Sequence, residues 1–317
     1  MCGIYGILSL RGGAAPDADM LDRMGNIIVH RGPDDDGTYL AGEVALGMRR
    51  LSIIDLAGGH QPIANEDETI WVVCNGEIYN FREVRAELIA RGHKFRTGSD
   101  VEIIVHLYED YGLDCVEHLT GMFGFALWDS VRKRLVIGRD RLGIKPIYVM
   151  WQPDRLVFAS EAKSILALPG VSRDLDPGAV EEYLSFGYTP NARSIFAGIE
   201  KLPPASVMVC EKGEVSIREY WRPPAEVDET LSEDEWLARV LAQIDRSVEM
   251  EMVSDVPLGA FLSGGVDSSA VVAMMARHSD RPVKTYSIGF DTGAAGSFYN
   301  ELPYAREVSA LFKTEHK

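Results

Sequence analysis

The chain has 317 residues, with 32 Lys and Arg against 48 Asp and Glu and a formal net charge of -16. That length predicts two domains at about 150 residues each, and that charge repels a phosphate backbone, which excludes an overall nucleic-acid-binding surface. A composition of 46% hydrophobic and 25% charged residues is globular rather than disordered. No run approaches the roughly 18 apolar residues of a membrane span, so no membrane partner is expected. Residues 1–13 lack the basic region of a signal peptide, and Cys2 in place of glycine excludes myristoylation. Cys2, Cys74, Cys115 and Cys210 lie far apart with no Cys-x-x-Cys pair. That pattern predicts neither a disulfide framework nor a zinc site and points to the reducing cytoplasm.

Strand-like runs dominate the first two thirds. Residues 70–74, 123–128, 134–138, 147–151, 156–159 and 206–210 read as strands. Phe81, Val84, Leu88 and Ile89 fit one helix face, and Val101, Ile104, Val105 and Tyr108 another. Strands with helices between them predict antiparallel sheets covered by helices, an α+β design. Residues 221–230 combine Pro223 and Pro224 with an acidic run, as linkers do. Beyond this seam, Ser232 and Glu235 form a capping box. The helix it opens carries Leu237, Val240, Leu241, Ile244 and Val248 on one face. A strand over 256–262, a glycine turn, a helix over 267–277 and a strand over 283–290 read as a βαβ unit with a parallel sheet. Another helix starts near Tyr304. Two parallel strands cannot cover both sheet faces, so the second domain is expected to be cut off.

Cys2 stands directly behind Met1. Removal of Met1 would give the thiol a neighbouring α-amine, whose pKa near 8 suits an intramolecular base. Such a thiolate can attack an amide, form a thioester and release ammonia. Alone, a cysteine at this position is more often chance. Its context is not: Cys2-Gly3-Ile4-Tyr5-Gly6, His30-Arg31-Gly32-Pro33-Asp34, Arg50-Leu51-Ser52-Ile53-Ile54-Asp55, Cys74-Asn75-Gly76-Glu77-Ile78-Tyr79-Asn80, Thr97-Gly98-Ser99-Asp100 and Arg139-Asp140 with Gly143, Lys145 and Pro146 follow in order. This series resembles the class II glutamine amidotransferases, the N-terminal-nucleophile glutaminases, across residues 2 to about 210. The resemblance implies a four-layer αββα fold.

A tetrahedral adduct on Cys2 needs preorganised donors for its oxyanion. The resemblance gives that role to Asn75 and Gly76, expected at a strand end. Asn-Gly is also an ordinary hairpin turn, and both readings stand. Arg50 suits the glutamine α-carboxylate by bidentate pairing, and by resemblance Asn75, Glu77 and Asp100 also bind glutamine, the two acids through its ammonium. Alone, Arg50 and Asp100 would read as surface charge. His30 is expected to support its loop, and Cys74, Cys115 and Cys210 to be buried.

Ser263-Gly264-Gly265-Val266-Asp267-Ser268-Ser269 follows an apolar strand and opens a helix, where backbone N–H groups favour an anion. It lacks the lysine of a Walker A loop. By itself it could be a plain serine-capped turn. It resembles the pyrophosphate loop of ATP-pyrophosphatases, and the order of the modules resembles the glutamine-hydrolysing asparagine synthetase family. Pro257 to Leu262 and Tyr286 to Phe290 share in this resemblance. It implies residues 2–210 as glutaminase, 211–231 as linker and 232–317 as the first part of an α/β parallel-sheet ATP-pyrophosphatase domain. It further implies that Leu262 and Ile288 flank the nucleoside, and that Ser263, Gly264, Gly265, Asp267 and Ser268 surround the pyrophosphate. ATP is then a substrate, with Mg²⁺ beside it and Asp267 as one oxygen ligand; no metal ligand set is assigned. Ammonia from glutamine would travel inside the protein to an adenylated aspartate, giving asparagine, AMP and pyrophosphate. A homodimer is compatible with the family. Two alternatives remain: a chain of the same build acting on another carboxylate, loosely suggested by residues 289–302 through likeness to polysaccharide- and exosortase-linked relatives, and a truncated glutaminase-like regulatory chain without ligase chemistry.

Overall fold

The computed structural model describes residues 1–190, 192–289 and 300–317. The chain divides into two compact units, Met1–Pro224 and Ala225–Lys317. In the first, the elements run β1 (Gly3–Ser9), α1 (Ala18–Asn26), β2 (Asp35–Ala41), β3 (Val44–Arg50), β4 (Ile63–Ala64), β5 (Ile70–Ile78), α2 (Phe81–Arg91) and α3 (Ile103–Tyr111). They continue with β6 (Gly121–Asp129), β7 (Arg134–Arg139), β8 (Tyr148–Trp151), β9 (Arg155–Ala159), α4 (Ala162–Leu166), α5 (Pro177–Phe186), β10 (Ile199–Lys201), β11 (Ser206–Glu211) and β12 (Glu214–Glu219).

These strands build two six-stranded sheets, ordered β10-β8-β9-β1-β3-β2 and β12-β11-β7-β6-β5-β4. Every pairing in them is antiparallel. The period-2 alternation of a strand gives each sheet two faces. From β1, Ile4 and Leu8 meet Val73, Ala126, Trp128 and Ile137 of the other sheet in one buried core. Tyr5 and Ile7 point the other way and pack with Leu21, Met24 and Ile28 of α1 and its C-terminal turn, and with Ile165 of α4. On the second sheet, α3 lies against β5 and α2 against α3. The layers are therefore helix, sheet, sheet, helix, the αββα arrangement.

Within the stretch expected as linker, β12 pairs with β11 from Glu214 to Glu219, so ordered sheet continues past residue 210. Tyr220 then donates its backbone N–H to the Ala205 carbonyl.

The second unit runs α6 (Glu233–Glu251), β13 (Gly259–Phe261), α7 (Val266–His278), β14 (Lys284–Tyr286), α8 (Leu302–Phe312) and β15 (Glu315–His316). The capping box at Ser232 and Glu235 is present. The sheet order is β13-β14-β15, all parallel. The two expected strands are shorter than read, Phe290 lies outside the described residues, and the third strand was not foreseen. Of the expected apolar face of α6, Val248 is buried while Leu237, Val240 and Leu241 are exposed.

Candidate active site

A cleft of about 80 Å³ in the first unit is lined by Met1, Cys2, Arg50, Asn75, Gly76, Glu77, Asp100 and Lys145, among others. Every residue proposed from sequence for the glutamine chemistry therefore reaches one cavity.

Cys2 enters at the head of β1, which Ser160 anchors from β9's end: its hydroxyl accepts from Ile4 N at 3.0 Å, and its own N–H donates to Ile4 O at 2.8 Å. Arg31 Nε donates to Cys2 O at 2.7 Å, and its Nη1 bonds Glu161 Oε1 at 3.1 Å. His30 Nε2 lies 2.9 Å from the same Glu161 oxygen. His30 and Arg31 thus brace Cys2 from behind. At the sulfur, Leu51 N donates to Cys2 Sγ at 3.3 Å. Burial pushes the thiol above its ordinary pKa, and this backbone hydrogen bond, the chain's N-terminal amine, Arg50 and Lys145 pull the other way.

Asn75 and Gly76 occupy the interior of β5, opposite Gly124 and Phe123 of β6. The hairpin-turn reading fails because tertiary pairing continues the strand to Ile78. Asn75 is 1% exposed, and its Nδ2 is a buried donor with no hydrogen-bond partner among the described residues. An unmet buried donor costs about 1–3 kcal/mol, so it is tolerated where a ligand satisfies it. A Cβ on Gly76 would stand 2.2 Å from Met122 O and 2.6 Å from Phe123 Cα. Only glycine lets β5 and β6 close here.

Arg50 is buried, and its Nη2 donates to Ile54 O and Asp55 O, both at 2.8 Å, which fixes its guanidinium at the cleft wall. Asp100 accepts from Ile78 N at 2.8 Å. Burial raises its pKa to about 6; the Ile78 hydrogen bond opposes this and the nearby Glu77 adds to it. Burial also raises Glu77, with Lys145 opposing. Two carboxylates whose burial disfavours ionisation gain strongly from a ligand cation.

In the second unit, Ser263 to Gly265 lie between β13 and α7, and Val266 to Ser268 open the helix. Gly264 has φ +82°, and a Cβ there would lie 2.5 Å from the Tyr304 carbonyl carbon. Gly265 caps α7, its N–H donating to Ser263 Oγ at 3.2 Å. Ser263 and Ser268 hydroxyls are 3.0 Å apart. Asp267 is exposed in the first turn of α7. Ser269 Oγ is buried without a hydrogen-bond partner among the described residues. Leu262 is 1% exposed and packs with Val272 and Ala305, so its side chain belongs to the core. Its N–H donates to Tyr286 O at 2.8 Å, which places it beside the strand leading to Ile288, itself 72% exposed.

Residues 1–221 match the family model described as glutamine amidotransferase domain. The chain belongs to that family. Residues 239–317 match a second model, described as asparagine synthase. Among curated proteins, the chain is 36% identical over its full length to asparagine synthetase [glutamine-hydrolyzing] 3 of Bacillus subtilis, covering 53% of that protein. It is 37% identical to asparagine synthetase [glutamine-hydrolyzing] 1 of the same organism, covering 49%. A putative asparagine synthetase [glutamine-hydrolyzing] 2 of Methanocaldococcus jannaschii is 35% identical, with 64% covered. The chain spans about half the length of the Bacillus relatives it matches. Among solved structures, glutamine phosphoribosylpyrophosphate amidotransferase of B. subtilis shares the fold, with a TM-score of 0.51 at 14% identity over 94% of this chain and 68% of that one.

The structure adds Lys145 to the cleft, with Asp140 and Arg139 behind it. Lys145 is 6% exposed, and its Nζ has Met1 Sδ as its contact, at 3.9 Å. Its loop is pinned by Asp140, whose carboxylate accepts from Leu142, Ile144, Lys145 and Phe123 N–H groups. Arg139 bonds the carbonyls of Lys145, Gly143 and Leu202. The Arg-Asp pair thus shapes the loop that carries the lysine. Among the described residues, no helix is long and apolar enough to cross a membrane.

Proposed function

We propose that residues 2–210, with the β12 strand that follows them in the same sheet, form a glutaminase with Cys2 as nucleophile, and that 232–317 supply the pyrophosphate loop of an ATP-dependent ligation that amidates aspartate to asparagine, with 221–231 joining them. The observation that carries the first half is the convergence of Cys2, Arg50, Asn75, Gly76, Glu77 and Asp100 on one cleft, with the Asn75 amide donor unmet.

In the proposed reaction Arg50 pairs with the α-carboxylate of glutamine, and Glu77 and Asp100 hold its ammonium. The amine of Cys2, freed by loss of Met1, takes the thiol proton. This base is needed because burial disfavours the thiolate. The sulfur attacks the side-chain amide carbon. Asn75 Nδ2–H and the Gly76 N–H receive the oxyanion. The C–N bond breaks, the amine returns its proton to the leaving nitrogen, and ammonia departs. Water then hydrolyses the thioester to glutamate.

For the second half, the fit rests on Gly264 and Gly265, which let the backbone come close, and on the hydroxyls of Ser263 and Ser268 at the start of α7. ATP bound there would supply a good leaving group for the acceptor carboxylate. Mg²⁺ would accompany it, with Asp267 offering one oxygen. We place the protein in the cytoplasm, where Cys2 stays a free thiol. Its partners are the small molecules glutamine, aspartate and ATP.

The test is glutamate release from glutamine by purified chain whose intact mass lacks Met1. Cys2→Ala is expected to abolish release; release at the wild-type rate from that variant, or a chain that keeps Met1 and is fully active, would overturn the mechanism.

A further inference from the structure

Away from the cleft, three segments of the first unit bring two imidazoles and two carboxylates together. Glu66 stands in the turn after β4, His93 follows α2, and His106 and Glu109 lie one turn apart on α3. One donor atom from each lies within 4.8 Å of all the others. His106 Nδ1 is 3.0 Å from Glu109 Oε2 and 3.5 Å from Glu66 Oε2. His93 Nδ1 is 3.5 Å from Glu109 Oε2 and 3.7 Å from Glu66 Oε1.

Those spacings have a chemical meaning. Zinc bonds to nitrogen and oxygen of about 2.0–2.2 Å place the four donors of a tetrahedron about 3.3–3.6 Å apart. The four imidazole–carboxylate separations, with Glu66 facing His106 through Oε2 and His93 through Oε1, run from 3.0 to 3.7 Å and bracket that range, and one donor from each residue lies within 4.8 Å of the other three. We propose that Glu66, His93, His106 and Glu109 form a tetrahedral site for a zinc ion.

The surroundings supply an independent reason. A metal-bound imidazole turns its other nitrogen to a carboxylate or carbonyl, which sets the tautomer and the ring angle. His93 Nε2 meets Asp110 Oδ1 at 3.1 Å. His106 is fully buried, and its Nε2 lies 3.8 Å from Glu102 Oε1, beyond hydrogen-bond distance, with no other partner among the described residues. Both rings therefore point Nδ1 into the cluster and Nε2 at an outer carboxylate. The ligating acids are held too: Asn65 Nδ2 donates to Glu109 Oε1 at 2.9 Å, and Lys94 N to Glu66 Oε1 at 2.9 Å. Two carboxylates neutralise a divalent ion, and imidazole with carboxylate suits zinc. Four protein ligands leave no open position, so the ion is structural: it ties α3 to the segments before and after α2. No cysteine takes part, which is why cysteine spacing gave no hint of it.

The test uses the full chain carrying Cys2→Ala, which removes the competing thiol, after stripping with a chelator. Zinc is titrated against a chromophoric competitor, and cobalt(II) is added separately to read coordination geometry from its visible absorption. The expected result is one zinc per chain and a tetrahedral cobalt spectrum. Asp110→Asn, which alters only an outer carboxylate, is expected to weaken zinc about 10- to 100-fold, and His93→Ala and Glu109→Gln more than that. Circular dichroism checks that each variant is folded; Glu109→Gln changes an exposed side chain and keeps its shape. Absence of stoichiometric zinc, an octahedral cobalt spectrum, or equal affinity in folded Glu109→Gln would overturn the proposal.

Discussion

Asp100→Asn separates what the cleft costs from what it does. Asp100 is 4% exposed, and burial lifts its pKa from an ordinary 3.8 to about 6. The folded chain therefore holds this proton more tightly than the unfolded chain. Its stabilising contribution is full below about pH 4 and is lost as pH rises through about 6. At about 1.4 kcal/mol per unit of pKa, the ionised carboxylate costs the folded state about 3 kcal/mol at pH 8. Asparagine keeps an acceptor for the Ile78 N–H and carries no charge. The variant is expected to be more stable than wild type by about that amount at pH 8 and to differ little near pH 4. Urea unfolding followed by fluorescence reads this directly, because Trp128 is buried in the first unit. The same change removes a charged partner of the substrate ammonium, worth about 1.5–3 kcal/mol, so KM for glutamine should rise roughly 10- to 150-fold. A variant no more stable at pH 8, or one with unchanged KM, would refute the assignment.

Three further outcomes follow from the geometry. Gly76→Ala forces a methyl to within 2.2 Å of the Met122 carbonyl oxygen, and is expected to cost at least about 1–3 kcal/mol by urea unfolding and to abolish glutamate release; a stable, active variant would mean that β5 and β6 can part. Lys145→Met removes a charge that lowers both Cys2 and Glu77, so the pH midpoint for alkylation of Cys2 by iodoacetamide should move upward; an unmoved midpoint would show that Lys145 does not act on the thiol. Gly264→Ala places a side chain at φ +82° and against Tyr304, at a strain of about 1–3 kcal/mol, and should abolish pyrophosphate binding in calorimetry; unaltered binding would remove the loop from the site.

The strands β5, β6, β7, β8, β9 and β11 were legible because β-branched and aromatic runs mark them. The strands β1, β2 and β3 were not, since glycine and aspartate interrupt their pattern. Those glycines answer to tertiary contacts: a Cβ at Gly47 would meet the Tyr5 ring at 2.2 Å, and one at Gly6 would meet Phe158 at 2.4 Å. Asn75-Gly76 looked like a turn for the same reason, local propensity being overruled by a neighbouring strand. The cleft residues were legible through ordered motifs and the chemistry of free glutamine. What the motifs could not convey is placement. Leu51 reaches the Cys2 sulfur from 49 residues away. His93 and His106 stand 13 positions apart and meet Glu109 of α3 and Glu66 from the turn after β4, a spacing that matches no local metal pattern.

The most direct test of the central claim is to trap the acyl-enzyme. Chain lacking Met1, given glutamine and hydroxylamine, should form γ-glutamyl hydroxamate, because hydroxylamine intercepts the thioester on Cys2, and Cys2→Ala should form none. Equal hydroxamate from the alanine variant would contradict a cysteine nucleophile at the head of β1.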